Sequence, residues 1–153
     1  MKPKALYTLF TCMAMALCLT ACRQEDDIEE IFTGKTWYIT SGCVQGHPLA
    51  GDDIKTLCQD SQAYLVSFSQ DTFTGVLSSG TTYSGTWEAD GKSRSFSLAV
   101  RQEATPQSQL DRHIYNTLRG TVRYEGDTNI IHLYADDANY ITLSIRRSPE
   151  SII

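Results

Sequence analysis

From residue 35 onward, apolar and polar residues take turns along the chain. Trp37 and Ile39 share one face of a short strand over 35–40. Tyr64, Val66 and Phe68 alternate with Leu65, Ser67 and Ser69, and Phe73, Gly75 and Leu77 with Thr72, Thr74 and Val76. Tyr83, Gly85 and Trp87 repeat the pattern, as do Phe96, Leu98 and Val100. Val122 with Tyr124, Ile131 with Leu133, and Ile141, Leu143 and Ile145 complete a set of eight strands. Half-buried antiparallel strands carry this period-2 signature. Short polar turns separate them: Gln70-Asp71, Ser79-Gly80, Asp90-Gly91, Gly126-Asp127 and Asp137-Ala138-Asn139. Asp-Gly is the strongest of these, because a tight type I′ turn needs positive φ at both central positions.

Two stretches change period. Residues 51–60 place Ile54, Leu57 and Cys58 at helical spacing behind Asp52-Asp53, acids suited to a helix N-terminus. Residues 107–119 place Leu110, Ile114 and Leu118 four apart, with Pro106 before them and Gly120 just after. The expected fold is all-β, an eight-stranded antiparallel barrel or curved sheet with two short helices. The alternative is α+β, with the helices on one face of an open sheet. A weak internal repeat of 35–89 in 94–147 rests on Val66/Val122, Asp71/Asp127, Thr72/Thr128 and Leu77/Leu133. Two hairpins of similar design explain those matches equally well.

The N-terminus follows another logic. Lys2 and Lys4 precede an uncharged run from Ala5 to Leu19, which has the length of a signal h-region and is short for a membrane span. The run ends Leu19-Thr20-Ala21-Cys22, which resembles the lipobox of bacterial lipoproteins. The resemblance implies cleavage after Ala21 and lipidation of Cys22, which anchors the chain to a bilayer through acyl chains. Each buried methylene adds roughly 0.8 kcal/mol, so three chains hold where one does not. The following RQEDDIEE offers little to bury and is expected to be a solvated tether. Its Glu25-Asp26-Asp27 cluster resembles the export signal of surface lipoproteins of Bacteroidetes. That implies the outer membrane, with the domain on the cell surface or otherwise facing the periplasm. The division is therefore a signal peptide (1–21), lipidated Cys22 and tether (22–33), a β domain (34–148) and a tail (149–153).

Charge and cysteines narrow the classes. Removing 1–21 leaves 11 of the 13 basic residues against all 18 acidic ones, a formal charge of −7. That balance disfavours nucleic acid as a partner. Within the β domain lie only Cys43 and Cys58, which in an oxidising envelope read first as a disulfide and otherwise as two buried thiols. Neither another cysteine pair nor well-spaced histidines support a metal.

TYSGTWEADGKSRSFSLAV, Thr82 to Val100, and GKTWYIT, from Gly34, resemble strands of bacterial lipocalin-like (calycin-type) domains. Here two residues separate Gly34 from Trp37 where that signature has one, and the helix at 107–119 departs from a plain up-and-down barrel. Many such lipoproteins have no assigned activity. With the lipobox, the chain resembles small lipocalin-like lipoproteins of Bacteroidetes, which implies a barrel; a small apolar ligand or an envelope protein partner is the expectation for a binding module of that shape.

Catalytic candidates are sparse. His47, His113 and His132 are scattered, and Asp52-Asp53 and Asp136-Asp137 suit a helix start and a turn. No phosphate loop, nucleophile elbow or HExxH motif is present, so neither a catalytic residue nor a cofactor is expected. The inward aromatics Trp37, Tyr64, Tyr83, Trp87 and Tyr124 either fill the barrel or line a ligand cup at its mouth. The leading expectation is a non-enzymatic binding module. An envelope structural or inhibitor protein with a filled barrel is the alternative, and a hydrolase comes last.

Overall fold

Each alternating run becomes a strand of one continuous sheet. The computed structural model describes residues 24–78 and 80–147. Signal peptide, Cys22 and C-terminal tail lie outside the described residues. In chain order the elements are α1 (Ile28–Phe32), β1 (Thr36–Val44), β2 (His47–Pro48), α2 (Gly51–Gln59), β3 (Leu65–Phe68), β4 (Thr72–Val76), β5 (Thr82–Ala89), β6 (Phe96–Gln102), α3 (Gln109–Arg119), β7 (Arg123–Gly126), β8 (Ile130–Asp136) and β9 (Asn139–Ser144). Among the described residues, nine antiparallel strands thus form a curled half-barrel with three short helices. The two-residue β2 and the helix α1 are additions to the expected set.

The sheet order is β6-β5-β4-β3-β1-β9-β8-β7, with β2 paired to β1. Two meanders therefore flank β1, and the α3 connection carries the chain from one edge to the other. The edges touch at the start of β6 and β7: Phe96 N donates to Val122 O at 3.0 Å, and Tyr124 N to Arg94 O at 3.0 Å. Where they diverge, α3 packs its Leu110, Ile114 and Leu118 stripe into the gap; all three are buried. Its start is capped by Ser108, whose side chain accepts from Asp111 N.

The inward faces are as the alternation requires, with two exceptions. A bulge between Ile39 and Ser41 shifts the phase of β1, so Gly42, opposite Ile141, faces inward after Trp37 and Ile39, while Cys43, opposite Tyr140, is buried on the outer face beside β2. Val122 is 58% exposed because β7 begins one residue later. Its repeat counterpart, Val66, is fully buried, so the two halves are not equivalent.

The segment read as a tether is folded. Asp27 caps α1 by accepting from Glu30 N at 3.1 Å. Phe32 is completely buried, and its ring centroid lies 5.1–5.4 Å from those of Phe68, Trp87, Phe96 and Tyr124. Asp26 Oδ2 accepts from Tyr124 Oη at 2.8 Å and Arg94 Nε at 3.1 Å, and Asp26 N donates to Gly91 O. Ile31 and Phe32, the Asp27 cap and the Asp26 contacts outweigh an acidic composition, because the Phe32 ring closes the barrel end.

Candidate functional site

The five aromatics, expected either to fill the barrel or to line a ligand cup, are core residues. Trp37 and Tyr124 are fully buried, and Tyr64, Tyr83 and Trp87 are 3%, 1% and 6% exposed. Trp37 Nε1 donates to Phe32 O and Trp87 Nε1 to Ser69 O, so both indoles are fixed at the α1 end. Tyr83 lies flat over Gly75, where a Cβ would stand 2.2 Å from the ring; only glycine leaves room for it. Burial, with Tyr115 beside it, raises the Tyr83 phenol well above its ordinary range. The aromatic content thus packs the interior and closes it from the α1 side.

The expected Cys43–Cys58 bridge is also corrected: both cysteines are free thiols. Helix α2 turns Leu57 inward and leaves Cys58 half-buried, its Sγ 3.6 Å from Arg147 O. Cys43 stands on β1 opposite Pro48 and Tyr140. Arg147 fixes the end of α2 instead, donating to the carbonyls of Ser61 (3.2 Å) and Ala63 (2.7 Å) and to that of Asp60. Thiol labelling of denatured, unreduced domain is expected to find two reactive cysteines per chain; none would restore the bridge.

A buried carboxylate that the sequence did not single out organises the opposite end. Asp111, in the first turn of α3, is wholly inaccessible. It accepts from Tyr64 Oη at 2.7 Å, from Gln107 N at 3.1 Å and from Ser78 Oγ. Tyr64 reaches it from a left-handed backbone (φ +54°), an arrangement strained for a side chain of that size. The strain is held by Tyr64 N donating to Leu77 O and Tyr64 O accepting from Ile39 N. Burial first, then the bond to Asp111, raises the Tyr64 phenol well above the ordinary tyrosine range. A phenol held protonated, beside a carboxylate already engaged by three donors, is a structural latch and a poor nucleophile or base.

Beside this latch opens a cleft of about 270 Å³. One wall is the end of β1 and the β1–β2 hairpin, with Val44, His47 and Leu49. The other is formed where α2 and α3 begin, with Asp53, Leu110 and His113. Two imidazoles and a carboxylate, far apart in sequence, here share a cleft with the apolar side chains of Val44, Leu49 and Leu110. A larger groove of about 460 Å³ runs along Glu25, Asp27 and Glu30 at the other end of the domain, but its walls are mostly acidic and polar.

The third histidine lies outside both. His132 stands on the outer face of β8, its Nδ1 2.8 Å from Thr142 Oγ1, near Tyr134 and Tyr140. Burial lowers its pKa, against the opposing pull of Glu125. The unfolded chain therefore takes the proton first. The stabilisation is complete above the unfolded value near 6.5 and is lost as pH falls below it toward the folded value. Melting temperature is expected to fall between pH 7.5 and 5, and His132→Gln should shrink that fall; an unchanged pH profile would contradict the account.

A family model described as a domain of unknown function, DUF4847, matches residues 23–145. The chain belongs to the DUF4847 family. The match begins eleven residues before the expected domain start, in agreement with α1 being part of the fold. A crystal structure of a DUF4847 family protein from Bacteroides vulgatus ATCC 8482, at 1.00 Å resolution, is similar with a TM-score of 0.64 and 24% identity. The similarity covers 79% of this chain and 99% of that one, and it shows a shared fold. No curated protein matches the chain.

Proposed function

We propose that this DUF4847 chain is a lipid-anchored envelope protein whose domain binds, without catalysis, a small amphipathic ligand or a partner's side chain in the end cleft. The observation that carries the binding reading is the contrast between a filled interior and an open end. Apolar Val44, Leu49 and Leu110 can take up a hydrocarbon group, while His47, Asp53 and His113 orient a polar one. The lipobox resemblance at Cys22 supports the anchor. The acidic cluster supports export to the outer membrane surface, with one refinement. Asp26 and Asp27 are engaged in the folded domain, whereas Glu25 is exposed, so such a signal would be read before the segment folds.

A second reading, a structural role against an envelope partner, is favoured by the outer-face ladder of Tyr134 and Tyr140. Their ring centroids are 4.9 Å apart, and the Arg123 guanidinium lies 3.8 Å from the Tyr134 ring.

Photo-crosslinking in intact cells tests the first reading. A photoreactive residue at Gln109, on the cleft, should give a defined adduct, while one at Ala99, on the exposed face of β6, should not. No adduct at 109, or the same adducts at both positions, would contradict the cleft as the binding site.

A further inference from the structure

On the lipid-anchor reading of Cys22, the short chain between that residue and the fold governs how the domain stands on its membrane. Asp26 is only four residues beyond Cys22, a span of at most roughly 14 Å even if fully extended. Asp26 is not free to swing. Its carboxylate is held by Tyr124 and Arg94, and its backbone by Gly91. A Cβ at Gly91 would lie 2.1 Å from Asp26 O, so the segment lies directly on the β5–β6 turn. Arg94 adopts the left-handed backbone (φ +60°) while making this contact. The neighbouring β7–β8 turn is tied to the same end, since Lys35 Nζ donates to Glu30 O and Thr128 O. Asp26, four residues from the attachment point, and these two turns therefore form one rigid end of the half-barrel.

The cleft is at the other end. α1 feeds directly into the start of β1 at Thr36, and the cleft begins at its last residue, Val44. Nine residues of strand separate the two ends by roughly 26 Å. A chain anchored at Cys22 cannot turn the domain over without breaking the Asp26 contacts.

We propose that the Cys22–Asp26 strap holds the domain against the bilayer by its β5–β6 and β7–β8 turns, with the cleft facing away from the membrane. The cleft then takes a water-borne ligand or partner, and membrane lipids are out of its reach. Lys35, Lys92, Arg94 and Arg146 lie at the membrane-facing end, set among Glu25, Asp27, Glu30 and Asp127. With charges of both signs there, the short strap determines the orientation.

The test uses full-length protein extracted from membranes and reconstituted into vesicles with rhodamine-labelled headgroups. A fluorophore is carried on a clickable residue at position 92 or 109, and the mass of the N-terminal peptide reports acylation. Severalfold stronger quenching is expected at 92 than at 109. A flexible insertion of about twenty Gly/Ser residues after Arg23, reaching roughly 25 Å, should remove the difference. Acylated protein with equal quenching at both positions, or a difference that survives the insertion, would overturn the orientation alone. An unacylated Cys22 would overturn the anchor reading and the orientation with it.

Discussion

Phe32→Ala is expected to destabilise the domain by about 3–5 kcal/mol, the cost typical of deleting a buried aromatic ring. The side chain is fully buried and touches four other aromatic rings donated by β3, β5, β6 and β7. Removing it leaves a void that these rings cannot readily close, since Trp87 and Tyr124 are each held by a hydrogen bond. Ile28→Ala, at a partly buried position of the same helix, should cost less. Denaturant unfolding measures both. A loss below about 1 kcal/mol for Phe32→Ala, the range of ordinary surface substitutions, would mean that residues 23–33 are a free tether after all.

Asp111→Ala is expected to have the second largest effect, a loss of about 2–5 kcal/mol. The carboxylate is the common acceptor for Tyr64 Oη, Ser78 Oγ and Gln107 N. Truncating it strands the Tyr64 hydroxyl inside the protein, where an unsatisfied donor costs about 1–3 kcal/mol. It also releases the turn before α3 and the loop after β4. The mechanism makes a specific demand on a double-mutant cycle. Tyr64→Phe removes the stranded donor, so adding it to Asp111→Ala should cost almost nothing or recover stability. Strict additivity of the two losses would show that the latch does not act as one unit.

Much of the architecture was legible because half-buried strands and amphipathic helices write their periods into the sequence. Helices at 51–60 and 107–119 became Gly51–Gln59 and Gln109–Arg119, and the buried face of nearly every strand followed the alternation. Helix α1 is hidden in the sequence by its acidic composition, although a local signal marks it. Asp27 followed three residues later by Glu30, just before Ile31-Phe32, is a capping pattern, and Asp27 does cap the helix. The bulge in β1 was not legible, since nothing in Ile39-Thr40-Ser41 marks a change of phase.

The site was less legible than the fold, for a physical reason. Alternation shows which side chains point inward; whether they meet at the centre depends on what closes the ends. Here Phe32 and α3 do so, and the five aromatics become core. The cleft was beyond reach because His47, Asp53 and His113 are brought together only by the crossing of three separate elements. The disulfide reading failed on direction. A helix and a strand can lie in contact while their cysteines face different neighbours, as Cys58 faces Arg147 here.

The central claim is that recognition belongs to the end cleft and that the interior of the half-barrel is closed to ligands. Methyl-detected NMR of the folded domain, titrated with a fragment library of small amphipathic carboxylates and amines, tests it most directly. The account predicts that shifts induced by binding fragments concentrate on Val44, Leu49 and Leu110, while the buried methyls of Ile39, Ile131, Leu133 and Leu143 stay in place. Fragments that shift the interior methyls and leave the cleft silent would contradict it.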